Sequence, residues 1–510
     1  MRRRLNVTGL SIVVIGGGPA ATAALSRLVW YRTFLNSPSV AVVQLFVPDK
    51  VFGKSAPWST PVASHITNMP AHTLGPSSVN PEAIVEGLNL AHLTKEHNGD
   101  VYLRRDRVGD ALCADLVRQI GLLRANGVSV TVHRKKVADI EPIGTDRVNV
   151  IDEEGAATTA DGVLLATGNW EPDKYVHLRG TPFYAGPWQI DEVRPLFGKR
   201  LLIIGTSLSS IDLTHSWRFL GNTRPVVWGG TSGIIPGVRP LYRKPSAKLI
   251  TPEFLRDFHR VNGPLSLEAV IQLAIAEIVL NGGNCDDLVK LRDRMFLEHL
   301  EQIRIGVIEA RMPHPYYDAL KIFDDVVHIV WDFMSEAAKD AFKQYSTLQA
   351  AIQWPAPPKN MVKLGRWIGS GFVTIRRGIR EVEWDNVNDR YVATFADGQV
   401  LDFQAVADCS GIGSDIRDAT CPLMASLLRR SLVKRHPRGG VIVDKDTGRI
   451  GAGGEQQLPV WVCAGSLTKG THYLTNQLLT VTATARAGID DMLNSLNPAT
   501  ARAPTKALVI

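Results

Sequence analysis

Short, almost wholly apolar runs recur along the chain, each bounded by glycine or polar turn residues and followed by a longer segment with helical spacing. Ser11–Ile15 reads as a buried strand, Pro19–Tyr31 as a helix and Val40–Val47 as a second buried strand. This is a β–turn–α–β unit. Asp110–Asn126 then reads as a helix, and Val128–His133, Arg147–Ile151 and Gly162–Ala166 as strands. A second unit starts with the strand Leu201–Ile204, the helix Ser209–Leu220 and the strand Pro225–Trp228. After about Pro240 the pattern turns helical. Thr251-Pro252-Glu253 is a capped helix start, and Ser266–Leu280, Asp286–Ile303 and Ser335–Ile352 follow. "WPAPPKN", residues 354–360, is a stiff connector. Strands resume at Gly371–Ile375, Val382–Trp384, Tyr391–Phe395, Ala405–Ala407 and Val460–Ala464. A hairpin is expected around Asp397-Gly398, and a long helix near Asn476–Leu493. The fold class is therefore α/β, with two Rossmann-like dinucleotide-binding units and a helical insertion.

A length of 510 residues exceeds one core and fits two or three domains. The net charge of +7 is scattered, which favours a basic enzyme over a nucleic-acid binder. Five cysteines without a CxxC argue against a disulfide scaffold, a zinc ribbon or a dithiol reductase, and fit a reducing cytoplasm. Glycines 16–18 and Pro19 interrupt the one apolar run that mimics a signal peptide. No uninterrupted run of 18 apolar residues occurs, so neither a membrane nor a nucleic acid is an expected partner.

Two turns carry candidate chemistry. In "IVVIGGGPAATAAL", Gly16, Gly18 and Ala21 form G-x-G-x-x-A between strand and helix. Gly16 permits the tight turn, Gly18 lets the backbone approach a pyrophosphate, and Ala21 allows close helix–strand packing. Pro19 and Ala20 open the helix. The second strand lacks the acidic residue expected to hold a ribose. Gln44 and Asp49 are the candidates, Asp49 having a turn cap as its alternative role. The second turn, "LLIIGTSLSSIDLT", keeps Gly205 and Thr206 but has Ser207 and Ser210 at the other two glycine positions. The following "WGGTSG" contains no arginine for a 2′-phosphate. NADPH, NADH and an empty remnant all stay open for this turn.

The two units, with "LLATGNW" between them and "ADCSGIGSD" later, resemble the bacterial FAD-NAD(P)-binding proteins. These are two-dinucleotide-domain flavoproteins related to flavin-dependent N-hydroxylating and class B monooxygenases. "HITNMPAHTLG" (residues 65–75), "VYLRRDRVGDAL" and "VCAGSLTKGT" extend the resemblance through most of the chain. It implies FAD as cofactor and NADPH or NADH as reductant. It implies an FAD domain in two parts, 1–198 and 386–496. Between them lies an NAD(P)-like domain, 199–385, with a helical insertion about 241–351; residues 497–510 form a tail. It also places Met69, Thr167, Gly168, Gly411, Gly465 and Thr471 beside the cofactors. Asn68, Lys469 and His472 are the candidate catalytic groups. A turn-stabilising role for Asn68 and a solvated Lys469 are the alternatives.

The implied activity is an NAD(P)H-dependent monooxygenase acting on a small molecule. Alternatives are an oxidase or dehydrogenase that ignores nicotinamide, and a non-catalytic flavin-binding protein. No HExxH, Walker loop, GxSxG or metal-ligand spacing occurs, so no metal is expected. A homo-oligomer is possible through the helical block.

Overall fold

The computed structural model describes residues 9–35, 40–74, 83–90, 101–188, 190–241, 246–419, 421–451 and 459–496. The expected tail at 497–510, Arg2–Arg4 and Gly75 lie outside the described residues.

Two parallel sheets organise the chain. The first half contributes β1 (Leu10–Ile15), β2 (Val40–Phe46), β3 (Ser129–His133), an antiparallel meander β4 (Val137–Ile143), β5 (Arg147–Asp152), β6 (Ala157–Ala160), and β7 (Gly162–Leu165). The second half contributes β8 (Tyr184–Ala185), β9 (Leu201–Ile204), β10 (Val226–Gly230) and β11 (Val373–Arg377). Its meander is β12 (Ile379–Asp385), β13 (Arg390–Phe395) and β14 (Val400–Phe403), followed by β15 (Ala405–Asp408). β16 (Val460–Cys463) closes the series. The strand orders are β16-β7-β1-β2-β3 and β8-β15-β9-β10-β11, so the second half repeats the first.

β1, β7 and β9 are nearly continuous apolar runs because both faces of each sheet are covered. In the first half, α1 (Pro19–Phe34) and α2 (Arg105–Ala125) cover one face. The meander β4–β6 packs on the other, with Ile140, Val148 and Val150 fully buried. In the second half α3 (Leu208–Phe219) follows β9. Between β10 and the helix leading to β11 stands a block of helices. It comprises α4 (Pro252–Asn262), α5 (Leu267–Leu280), α6 (Cys285–Arg294), α7 (His299–Glu309), α8 (Pro315–Phe333), α9 (Glu336–Phe342) and α10 (Ser346–Gln353). α11 (Pro358–Gly369) then returns the chain to β11, starting within the stretch expected to be a stiff connector. Pro358 explains this: proline fits the first helical turn, where its missing N–H costs nothing.

Three expectations change. The helices expected at 286–303 and 335–352 each split in two, and α8 was not anticipated. The region expected to be a hairpin is a three-stranded sheet, with Asp397-Gly398 in its second turn. The boundary expected at 385–386 falls between β12 and β13. β15 pairs with β9, so the second unit runs through Asp408 and the chain re-enters the first sheet only at β16.

After β16 come a short turn at Gly465–Thr468, a four-residue helix Lys469–His472 and the long helix α12 (Leu478–Leu496). α12 lies on α1, tied by Arg27 to Asp490 at 2.6 Å. The helical block also touches this region. The indole N–H of Trp331 donates to the Gly470 carbonyl at 3.0 Å, and its ring stacks on Tyr473.

Candidate dinucleotide and flavin site

At the first loop, Gly16 has φ +120°, and a Cβ there would lie 2.0 Å from the Ala166 carbonyl oxygen. Only glycine fits this left-handed, crowded position. The Gly16 N–H donates to the Phe46 carbonyl at 2.9 Å and locks the turn over the sheet. Gly18 is different. It has extended backbone, and a Cβ there would meet only the Lys54 carbonyl oxygen, at 3.4 Å. Its lack of a side chain leaves open space in front of the loop. Gly18 caps α1 with no side-chain hydrogen bond, Pro19 has no N–H, and the first turn carries no acid. The amides of Ala20 and Ala21 and the positive end of α1 are therefore left for an anion.

The second loop repeats this geometry. Gly205 has φ +123°, a Cβ there would lie 2.4 Å from the Cys409 carbonyl oxygen, and its N–H donates to Gly229 at 2.7 Å. Ser207 takes the place of Gly18 with nearly the same extended backbone, φ −106° against −88°. It is exposed and makes no capping hydrogen bond. The serine thus costs no backbone strain. Thr206 is committed elsewhere, its hydroxyl donating to the Ile234 carbonyl at 2.6 Å.

An arginine on the neighbouring strand stands beside "WGGTSG". Arg377, at the end of β11, pairs in register with Gly230, and a Cβ on Gly233 would meet the Arg377 Cβ at 2.7 Å. Arg377 is exposed and forms no ion pair among the described residues. Lys174 lies 3.5 Å from the Thr231 hydroxyl. These two cations are invisible to a linear reading because 144 positions separate Gly233 from Arg377 and 57 separate Lys174 from Thr231.

The connectors between the units also come in pairs. Gly168 follows β7 and Gly411 follows β15, both with positive φ (79° and 139°). Thr167, beside Gly168, is half-buried. The Asp173 carboxylate accepts from the Ser414 and Asp415 amides at 2.8 and 2.7 Å, which holds one connector to the other.

The remaining candidates divide. Met69 and Leu478, the first residue of α12, pack against the same apolar cluster, so the Asn68–Pro70 segment and the start of that helix share one core. Asn68 is half-buried and makes no hydrogen bond among the described residues. Gly465 has φ +70°, and the Ser466 hydroxyl bonds Asn169, joining the ends of β16 and β7. Gln44 is occupied, its amide oxygen paired with His133 Nε2 at 2.7 Å. The backbone of Asp49 opens a short 3-10 turn; its side chain lies outside the described residues. Val47, immediately after β2, is fully buried against Gly17, so the strand end presents a methyl group there. Lys469 is largely buried, and burial lowers its pKa, opposed by Asp173. His472 is buried and bonded through Nε2 to the Lys445 carbonyl at 2.7 Å, and burial holds it neutral. Thr471 lies beside it, half-buried.

Three motifs singled out in the sequence converge away from these loops. Arg105, from "VYLRRDR", contacts Asp212, from "GTSLSSID", at 2.7 Å with both side chains buried. Its Nε donates to the Ile66 carbonyl at 2.9 Å. His65, from "HITNMPA", touches the Asp212 carbonyl at 2.7 Å and the Thr60 hydroxyl at 2.8 Å. α2 of the first unit is thereby clamped to α3 of the second. Burial raises the Asp212 carboxyl to about 6 despite the attraction of Arg105. Burial, then Arg105, depresses His65 to about 4, and burial, then Lys363, depresses His215 to about 3.

The two histidines are neutral when folded and take up protons near pH 6.5 when unfolded. Their stabilisation is present above that pH and is lost as pH falls toward about 4, each worth on the order of 3 kcal/mol. Asp212 works in the opposite direction over pH 4 to 6, but it is one group against two. The melting temperature should therefore fall as pH is lowered from 7 to 4.5. A melting temperature that is flat or rising over that range would contradict the buried, neutral histidines.

Residues 13–170 match the family model described as FAD-NAD(P)-binding. No curated protein matches the chain in sequence. Solved structures do match over its length. The ornithine N-hydroxylase of Kutzneria sp. 744, determined with reduced FAD, NADP+ and L-ornithine, aligns with a TM-score of 0.55 at 17% identity, covering 96% of this chain and 99% of that one. The L-lysine 6-monooxygenase of Pseudomonas syringae gives 0.53 at 14% identity, over 96% and 100%. The reduced ornithine hydroxylase of Pseudomonas aeruginosa gives 0.52 at 14%, over 96% and 99%. The fold is that of these two-dinucleotide-domain flavoproteins. Among the described residues, no helix is long and apolar enough to cross a membrane.

Proposed function

We propose that the protein is an FAD-dependent, NADPH-using monooxygenase that hydroxylates the nitrogen of a small amine. The observation that carries this reading is the duplicated loop. Gly16 and Gly205 hold the same strained turn, and both following helices present uncapped N-termini with no acid in the first turn. One loop suits the FAD pyrophosphate and the other a nicotinamide dinucleotide. The similarity to ornithine and lysine hydroxylases over 96% of the chain supports the reaction class.

The residues fit the cofactors. Gly16, Gly18, Pro19, Ala20 and Ala21 would hold the FAD pyrophosphate, with Gly168, Gly465 and Ser466 at the adjoining strand ends. Gly205, Thr206 and Ser207 would hold the second dinucleotide, with Arg377 and Lys174 beside its adenosine phosphate. Bound flavin would supply the transfer of electrons from nicotinamide to oxygen. The chain's part is to bind, orient and exclude water. Asn68 offers a free amide for substrate or nicotinamide near Met69. Neutral His472 and buried Lys469 would border the flavin site where the helical block reaches the Gly470 carbonyl through Trp331.

Anaerobic mixing of the purified yellow protein with NADPH tests this. Bleaching within seconds, and hydroxylamine product from ornithine or lysine in air, are expected. An unbleached flavin with candidate substrates present would overturn it. Arg377→Ala should raise the KM for NADPH about tenfold or more, from loss of a charge-assisted contact, and leave that for NADH unchanged. Ser207→Gly should change either by less than about twofold, because serine already holds the required backbone without strain.

A further inference from the structure

A broad cleft of about 500 Å³ opens where Ala63 and Ser64 of the first unit meet α3 and α11 of the second. Arg218 on α3 and Lys363 and Arg366 on α11 line it, and no aspartate or glutamate does. The guanidinium of Arg218 donates to the Asn222 carbonyl at 3.0 Å and finds no carboxylate. Burial and the nearby Lys359 both disfavour the charge on Lys363. The three cations have no ion pair among the described residues, and an anion in the cleft would be attracted to all of them.

The cleft also has a polar floor. His215 is 3% exposed, lines the cleft and leaves its Nε2 with no hydrogen-bond partner among the described residues. That nitrogen is itself shut off from solvent, so the imidazole forms a polar floor beneath the cleft. Trp367 lies edge-on to His215 at 4.9 Å between centroids and gives one wall an apolar face. His215 sits eight residues beyond Ser207, about 12 Å along the helix axis, so the cleft is separate from the second phosphate loop.

We propose that this cleft is an anion-binding site for a phosphate-bearing small molecule whose apolar part rests on Trp367. Arginine forks and a lysine suit the several oxygens of a phosphoryl group. Because Ser64 belongs to one unit and α3 and α11 to the other, the ligand would bridge both beside the Arg105–Asp212 contact.

The test titrates the flavin-loaded protein with sodium pyrophosphate and, separately, with adenosine monophosphate, by calorimetry and tryptophan fluorescence. The variants are Lys363→Ala/Arg366→Ala and Arg366→Glu. Arg366→Glu alters one exposed side chain and keeps the question open to refutation if the double variant folds poorly. Adenosine monophosphate should bind and quench fluorescence, with affinity falling tenfold or more in both variants. Flavin content and NADPH bleaching should not change. Equal affinity in wild type and Arg366→Glu overturns the site. Pyrophosphate binding as tightly as adenosine monophosphate overturns the role given to Trp367.

Discussion

Gly16→Ala is expected to give an unstable, colourless protein, whereas Gly18→Ala should fold and lose only its flavin. The two glycines are two residues apart and face different costs. At Gly16 a side chain meets the Ala166 carbonyl at 2.0 Å in a backbone with φ +120°. Left-handed strain alone is worth about 1–3 kcal/mol. The overlap must be relieved by parting β1 from β7, which lie at the centre of the first sheet. At Gly18 the backbone is extended and a methyl group would sit at 3.4 Å from the nearest described atom. The fold tolerates it, but the methyl occupies the space a pyrophosphate needs. Thermal melts of the apoproteins and the flavin absorbance of the purified forms separate the two effects. If Gly18→Ala retains flavin as tightly as wild type, the first loop does not hold the pyrophosphate.

Asp212→Ala should destabilise by about 3–5 kcal/mol, since it leaves the Arg105 guanidinium buried and unpaired between the two units. Arg105→Met should cost less. The Asp212 carboxyl, already raised to about 6, can accept a proton and become neutral, and the methionine chain fills the volume. The paired replacement Arg105→Met/Asp212→Ala should recover much of the loss, since no charge then remains buried. Denaturant unfolding of the four proteins measures this. Additive losses in the double variant would show that the two side chains do not act as a pair.

Much of the fold was legible because both sheets are buried on two faces. Such strands are unbroken apolar runs, and Leu201–Ile204 matched its expected bounds. The helical block was harder to read. α8 carries Asp318, Asp324 and Asp325 among its apolar positions, and the break between α6 and α7 has no glycine or proline to announce it. The loops were legible as glycine patterns, but their tolerance was not. Sequence alone treats Ser207 as damage, while its extended φ shows a position that never required glycine. The clamp was half legible. Its three motifs lie far apart in the chain, and only the contact of Arg105 and His65 with Asp212 across the two units brings them together. Arg377 and the Arg218–Lys363–Arg366 cleft depend on strand and helix pairing at long range, which spacing does not encode.

The helical block enters and leaves the second unit at one point. Val238 bridges Ala356, and the Arg239 and Ala356 amides donate to Ala356 and Gly237 at 2.8 and 2.9 Å. It is thus spliced into the Rossmann framework like a cassette with its two ends stitched together. Beyond this seam the block touches the framework at a few further points, such as Ile303 in the second core and Trp331 on Gly470, and the chain between them can vary in length. Length changes within the block would therefore be sealed off at this seam, leaving the phosphate loops, the meanders and the clamp as they are.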